Sequence, residues 1–135
     1  MRHLLAILGY VFGTLVVQAT SHFALFKAHY DAISFNRPDP IFAFGIGSMI
    51  IQGAVLSYVY SRSQFNTGKL GGTLTLSWLF GAFLVSYEAL AEAAKYNIPD
   101  IASWVGVEVM SGAVQYTLIG ALLYFAHRFA NRGQS

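Results

Sequence analysis

Four long apolar stretches, separated by short polar segments, make up most of this chain of 135 residues. They cover residues 4–26, 41–60, 70–94 and 101–127. A helix needs about 20 apolar residues to cross the hydrocarbon core of a bilayer, so each stretch is long enough to span a membrane. The pattern predicts an all-α membrane protein with four transmembrane helices, and residues 1–135 are interpreted as a single domain.

The polar segments predict how the helices are connected and oriented. Each is short and carries turn residues, such as Arg37-Pro38-Asp39-Pro40, so sequential helices are expected to be antiparallel and adjacent. Five of the lysines and arginines lie at the termini and in the second loop: Arg2, Arg62, Lys69, Arg128 and Arg132. The other three, Lys27, Arg37 and Lys95, lie on the opposite side. Because positive residues favour the cytoplasmic side, both termini are predicted to be cytoplasmic.

The first apolar stretch allows two interpretations. A basic start followed by an apolar run and Val17-Gln18-Ala19 resembles a cleaved signal peptide. However, Tyr10-Val11-Phe12-Gly13 matches Trp78-Leu79-Phe80-Gly81 in the third stretch, and the second and fourth stretches match more loosely. This similarity suggests two tandem helical hairpins related by an axis along the membrane normal. Apolar helices also resemble one another by composition alone, so both explanations stay open.

The composition supports the membrane interpretation and excludes several kinds of chemistry. Hydrophobic residues make up 56% of the chain and charged residues only 10%, whereas soluble domains carry about 25% charged residues. The net charge of +2 is spread over separate segments, so no nucleic-acid partner is expected. The absence of cysteine from the sequence rules out disulfides and thiolate metal sites.

All six carboxylates are expected in the outer half of the membrane protein, three of them within helices. They are Asp31, Asp39, Glu88, Glu92, Asp100 and Glu108. Ionisable residues inside spanning helices are costly, and they usually face the interior of the bundle in a functional or paired role. At helical periodicity, small and polar residues form one stripe on each helix, which is typical of helix interfaces in lipid.

These stripes give eight candidate ligand-binding residues: Glu88, Glu108, His22, Glu92, Gln52, Gln18, Trp104 and Gln115. Counting inward from the outer ends places Glu88 and Glu108 at similar depth, about 10 Å below the interface at the helical rise of about 1.5 Å per residue. A simpler structural role is open for several of them. Glu92 can pair with Lys95, the glutamines can form interhelical hydrogen bonds, and Trp104 with Tyr30 can belong to an aromatic belt at the outer surface.

Cofactor chemistry receives little support from the sequence. Only His22 lies well inside a predicted span, so a haem held by two histidines is not expected. His22 with the three intramembrane glutamates could offer nitrogen and oxygen donors to a divalent ion, but no dense ligand motif such as His-Glu-x-x-His is present.

Segments near the outer ends of the helices carry a resemblance to a known group. The Arg37-Pro38-Asp39-Pro40 turn, the run Glu92-Ala93-Ala94-Lys95-Tyr96-Asn97-Ile98-Pro99, and Ser103-Trp104 with Glu108 resemble small bacterial four-helix membrane proteins known only as domains of unknown function. The likeness covers most of the chain. It implies a four-helix protein of the bacterial inner membrane, and it carries over no activity.

Three functions are compatible with this pattern. The first is a binding or transport protein, oligomeric, whose polar pocket on the outer side takes a small ligand, a proton or a cation. The second is a membrane enzyme that acts on a lipid or isoprenoid-like substrate, with Glu88 or Glu108 as acid or base beside His22; the sequence leans against an enzyme. The third is a structural subunit of a membrane complex. Membrane lipid is an expected partner in each case.

Overall fold

Four long helices dominate the computed structural model, which describes residues 1–33, 37 and 39–132. We call them the first span, Arg2–Leu25, the second span, Phe42–Arg62, the third span, Leu70–Lys95, and the fourth span, Ile101–Phe129. Each is long and apolar enough to cross a membrane. The prediction of an all-α integral membrane protein with four spanning helices is therefore confirmed. We call the end of the bundle that carries the carboxylates the outer end, following the predicted orientation.

The first and third spans change their winding near the outer end. The first span is α-helical over Arg2–Thr20 and π-helical over Ser21–Leu25, and a short helix, Lys27–Asp31, follows it. The third span is α-helical over Leu70–Ser86, π-helical over Tyr87–Ala91 and α-helical again over Glu92–Lys95. The fourth helix starts where the Asp100 carboxylate accepts a hydrogen bond from the Ser103 amide, at 3.0 Å, which satisfies a donor at the helix start. It continues to Arg132.

The helices pack in the order second, first, fourth, third, and the second and third spans make little contact. The prediction that all sequential neighbours are adjacent is therefore wrong for this pair. Small residues explain the order, because they allow close approach of helix backbones. A Cβ added to Gly53 of the second span would lie 2.9 Å from Tyr10 of the first, and one added to Gly81 of the third would lie 2.6 Å from Tyr116 of the fourth.

The inner and outer halves of the bundle differ in packing. The inner half has a continuous core to which all four spans contribute: Ala6, Tyr10, Leu56, Tyr60, Leu76, Tyr116, Ile119, Leu123 and Ala126. The second span buries Gly53, Leu56, Ser57 and Tyr60 in this half, whereas none of its residues 42–52 is buried. The bundle is therefore closed at the inner end and open between the second and third spans at the outer end.

Two features fit the predicted repeat. The π-helical segments of the first and third spans occupy corresponding places in the two halves. The guanidinium of Arg62 lies 4.8 Å from the ring centre of Tyr58 in the second span, and that of Arg128 lies 5.5 Å from the ring centre of Tyr124 in the fourth. The packing itself is not symmetric, because the first and fourth spans meet along their length while the second and third do not.

Candidate ligand-binding cleft

A cavity of about 360 Å³ lies between the four spans in the outer half of the bundle. We call it the polar cleft, and all eight candidate residues from the sequence line it. The complete described lining is Thr14, Gln18, His22, Tyr30, Gly45, Ser48, Met49, Gln52, Glu88, Glu92, Trp104, Glu108, Gln115 and Tyr116. The volume is within the range of small-molecule sites in proteins, about 300–1,000 Å³.

The charged groups of the polar cleft are mainly acidic. Glu88, Glu92 and Glu108 line it, and the described lining residues include no lysine or arginine. His22 is the titratable base among them. The site therefore carries negative charge whenever two or more of its carboxylates are ionised.

Glu108 is the buried carboxylate of the three, with 7% of its surface exposed. The Tyr30 hydroxyl donates a hydrogen bond to Glu108 Oε1 at 2.8 Å. Burial raises the pKa of Tyr30 above its ordinary value, and the nearby Glu108 charge adds to this effect, so the hydroxyl keeps the proton that it donates. The second carboxylate oxygen of Glu108 has no hydrogen-bond partner in the part of the chain that the structure describes.

Glu88 and Glu92 have different surroundings from Glu108. The Glu88 side chain is exposed and that of Glu92 is half-buried, and neither carboxylate has a hydrogen-bond or ion-pair partner among the described residues. The main chain at Glu88 is held in place, because Trp104 Nε1 donates to its carbonyl oxygen at 3.2 Å. No salt bridge joins Glu92 to Lys95 among the described residues, where Lys95 Nζ donates to the Tyr87 hydroxyl at 2.6 Å; the two opposite charges still attract each other.

His22 is positioned by two contacts in the π-helical segment of the first span. Its Nδ1 lies 3.0 Å from the carbonyl oxygen of Gln18, and because a carbonyl can only accept, Nδ1 must carry the hydrogen. The imidazole stacks on the Tyr30 ring with 3.6 Å between the ring centres. No described residue forms a hydrogen bond with Nε2, and His22 lines the polar cleft.

The floor of the polar cleft is a set of hydrogen bonds between helices. Gln18 Nε2 donates to Gln115 Oε1 at 2.7 Å, which joins the first and fourth spans, and Gln115 Nε2 lies 3.5 Å from Thr14 Oγ1. The Tyr10 hydroxyl donates to Gln52 Oε1 at 2.7 Å and lies 3.1 Å from the Tyr116 hydroxyl. The prediction that Gln52 and Gln115 form interhelical hydrogen bonds is confirmed. The inner core includes the rings of Tyr10 and Tyr116 and continues below this floor.

Three tyrosines of this region are not among the candidates from the sequence. Tyr10 and Tyr116 form part of the floor, and Tyr30 is buried against Glu108 instead of belonging to an outer aromatic belt. Trp104 is also buried, with 5% exposed, and faces the cleft. A sequence signal for Tyr10 and Tyr116 exists, because both lie far from the ends of their spans, whereas tyrosines of membrane helices concentrate at the interfaces.

Within the described part of the chain, no three histidine, aspartate or glutamate side chains come together in a group that could hold a metal ion.

Comparison with known proteins identifies no relative. No protein-family model matches the chain, and no curated protein or solved structure shows detectable similarity to it. The resemblance to bacterial four-helix proteins of unknown function therefore stays a prediction, as does the cytoplasmic location of the termini.

Proposed function

We propose that this integral membrane protein binds a small, positively charged ligand in the polar cleft, in the outer half of the bundle. The observation that carries the proposal is that three carboxylates line one cavity without a lysine or arginine among its described lining residues. Binding of this kind would be the recognition step of transport, with the bacterial inner membrane as the proposed location.

The preference for a cation follows from electrostatics. Carboxylates that share one cavity repel one another, and an opposite charge within about 4–6 Å favours their ionised form. Tyr30 neutralises no charge, since it only donates a hydrogen bond to Glu108. A bound cation would supply the missing positive charge, whereas an anion would add to the repulsion.

The closed inner half sets a condition for transport. The floor of hydrogen bonds and the apolar core beneath it block the polar cleft from the inner end. A ligand could therefore cross only if the helices rearranged or if a path formed between protomers of an oligomer. We include a homo-oligomer in the proposal on this ground.

Titration calorimetry of the purified protein in mild detergent tests the binding step. The ligands would be sodium, potassium, magnesium, methylammonium and benzyltrimethylammonium, with chloride as the common anion. We expect at least one cation to bind. Its affinity should fall about tenfold or more in Glu108→Gln, because the bound cation then loses a buried negative partner.

The matched control is Asp39→Asn, which removes a carboxylate that does not line the polar cleft. Its affinity should equal that of the wild type. Absence of binding by every cation, or equal loss of affinity in both variants, would contradict the proposal.

A further inference from the structure

The polar cleft has an apolar side as well as a charged one. Trp104, Tyr30, Tyr116 and Met49 line it together with the three glutamates. Aromatic faces attract cations, with about 0.5–2 kcal/mol for each good contact. A small metal ion instead requires several converging oxygen or nitrogen ligands, and no three histidine, aspartate or glutamate side chains of the described residues form such a group. The lining therefore matches a cation whose charge is spread over organic groups.

A second cavity continues the apolar side toward the outer surface. It has a volume of about 750 Å³ and shares His22 and Tyr30 with the polar cleft. Its described lining includes the apolar residues Phe23, Ile33, Ile41 and Phe42. Lys27 of this cavity is paired with Asp31, while Arg37 adds positive charge there. An apolar group can extend into this space, but the arginine opposes a cation that enters from the aqueous side.

The outer half of the second span provides another way in. Gly45 and Ser48 line the polar cleft from this helix, and Glu88 lines it from the third span across the opening. A Cβ added at Gly45 would meet no atom within 4 Å. Large apolar side chains are exposed along the same segment; they are Phe42, Phe44, Ile46, Ile50 and Ile51. We expect this surface to contact lipid in a membrane, and the opening between the second and third spans lies beside it.

We infer that the ligand of the polar cleft is an amphipathic organic cation, such as a quaternary ammonium with an aromatic or alkyl group, which enters sideways from the lipid between the second and third spans. This inference rests on the proposed function and specifies its ligand class. The cationic group lies among Glu88, Glu92 and Glu108, and the apolar group packs against Trp104 and Tyr30. The bilayer concentrates such compounds beside the opening, because burial of their apolar part in lipid is favourable.

The test measures binding of benzyltrimethylammonium to the full chain in lipid nanodiscs. Its uncharged carbon analogue, neopentylbenzene, serves as the control for hydrophobic partitioning. We expect saturable binding of the cation alone, and a loss of about tenfold or more in Glu108→Gln, which corresponds to about 1.4 kcal/mol.

Entry from the lipid is tested by a matched pair of glycines on one helix. Gly45 lines the polar cleft and Gly47 does not, although an added Cβ would meet no atom within 4 Å at either position. Gly45→Leu should slow association of benzyltrimethylammonium about tenfold, because the leucine side chain would narrow the opening. Gly47→Leu should leave the rate within about twofold of the wild type. The two substitutions change helix propensity equally, so that effect cancels in the comparison.

Each result has a distinct meaning. Binding of sodium, potassium or magnesium that depends on Glu108, without binding of benzyltrimethylammonium, would overturn this inference and retain the proposed function. Binding of no cation at all would overturn both. Equal association rates in the two leucine variants would overturn entry from the lipid. Binding of neopentylbenzene equal to that of benzyltrimethylammonium would overturn recognition of charge.

Discussion

At the scale of single residues, the three glutamates of the polar cleft have the same chemistry in different surroundings. Glu108 is buried and accepts the Tyr30 hydroxyl, whereas Glu88 and Glu92 are exposed or half-buried and lack partners among the described residues. A buried carboxylate needs hydrogen-bond donors, because a carboxylate that loses its donor is desolvated without compensation. Glu108 is therefore the fixed acidic group, and Glu88 and Glu92 are the groups free to respond to a ligand.

Replacing Tyr30 with phenylalanine tests this assignment. The ring and its stacking on His22 are kept, but Glu108 Oε1 loses its donor and Ser21 loses its hydrogen bond with the Tyr30 hydroxyl. We expect the free energy of unfolding in detergent to fall by about 1–3 kcal/mol, measured by denaturant titration.

Tyr58→Phe is the control, because Tyr58 is 54% exposed at the inner end and its ring still contacts Arg62. A surface substitution of this kind usually changes stability by less than about 0.5 kcal/mol. Equal stability of the two variants would show that the hydroxyl of Tyr30 does not support Glu108.

The faces of the helices could be predicted from the sequence, but the contacts of individual side chains could not. Periodicity places Glu108, Gln115 and Trp104 on one face of one helix, and all three line the polar cleft. Periodicity does not show that Lys95 bonds to Tyr87 instead of Glu92. The π-helical turn at Tyr87–Ala91 changes the register between Tyr87 and Lys95, and it has no clear sequence signal.

At the scale of helices, the packing order rests on which small residues contact which neighbour. The prediction of adjacent sequential helices follows from short loops, and it holds for the first and third connections. It is wrong for the second, because Gly53 directs the second span onto the first, and Gly81 with Gly112 directs the third onto the fourth. Loop length limits how far apart two helix ends lie, but it does not require the helices to pack along their length.

Two glycine substitutions test this account of the packing. A Cβ at Gly81 would lie 2.6 Å from the Tyr116 ring, whereas one at Gly106 would meet nothing within 4 Å. Gly81→Ala should lower the free energy of unfolding by about 1–3 kcal/mol through overpacking, measured by denaturant titration in detergent. Gly106→Ala should be neutral or stabilising by up to about 1 kcal/mol, since alanine favours the helix. Equal effects would contradict close packing at Gly81.

At the scale of the whole molecule, the two halves resemble each other in their helices but not in their packing. The inner end is closed by a core to which all four spans contribute, and the outer end opens between the second and third spans. The asymmetry creates the polar cleft on one side of the membrane. The predicted orientation places this side outside the cytoplasm, because the carboxylates lie at the end opposite to most lysines and arginines.

Single cysteines test the orientation directly, because the chain has none of its own. Asn97→Cys places a thiol in the loop before the fourth span, and Gln64→Cys places one in the loop after the second. A maleimide that cannot cross the membrane should label the first variant in intact spheroplasts and the second only after lysis. The reverse pattern would place the polar cleft on the cytoplasmic side.

The measurement that tests the central claim most directly is the fluorescence of Trp104 during titration with a cation. Trp104 lines the polar cleft, and the other tryptophan, Trp78, does not. Trp78→Phe therefore leaves a single reporter inside the proposed site. With benzyltrimethylammonium, sodium, potassium, magnesium and methylammonium as ligands, we predict a saturable change in emission with at least one, and its loss when Glu88→Gln and Glu108→Gln are combined. Emission that no cation changes, or a change that persists without both glutamates, would contradict cation binding in the polar cleft.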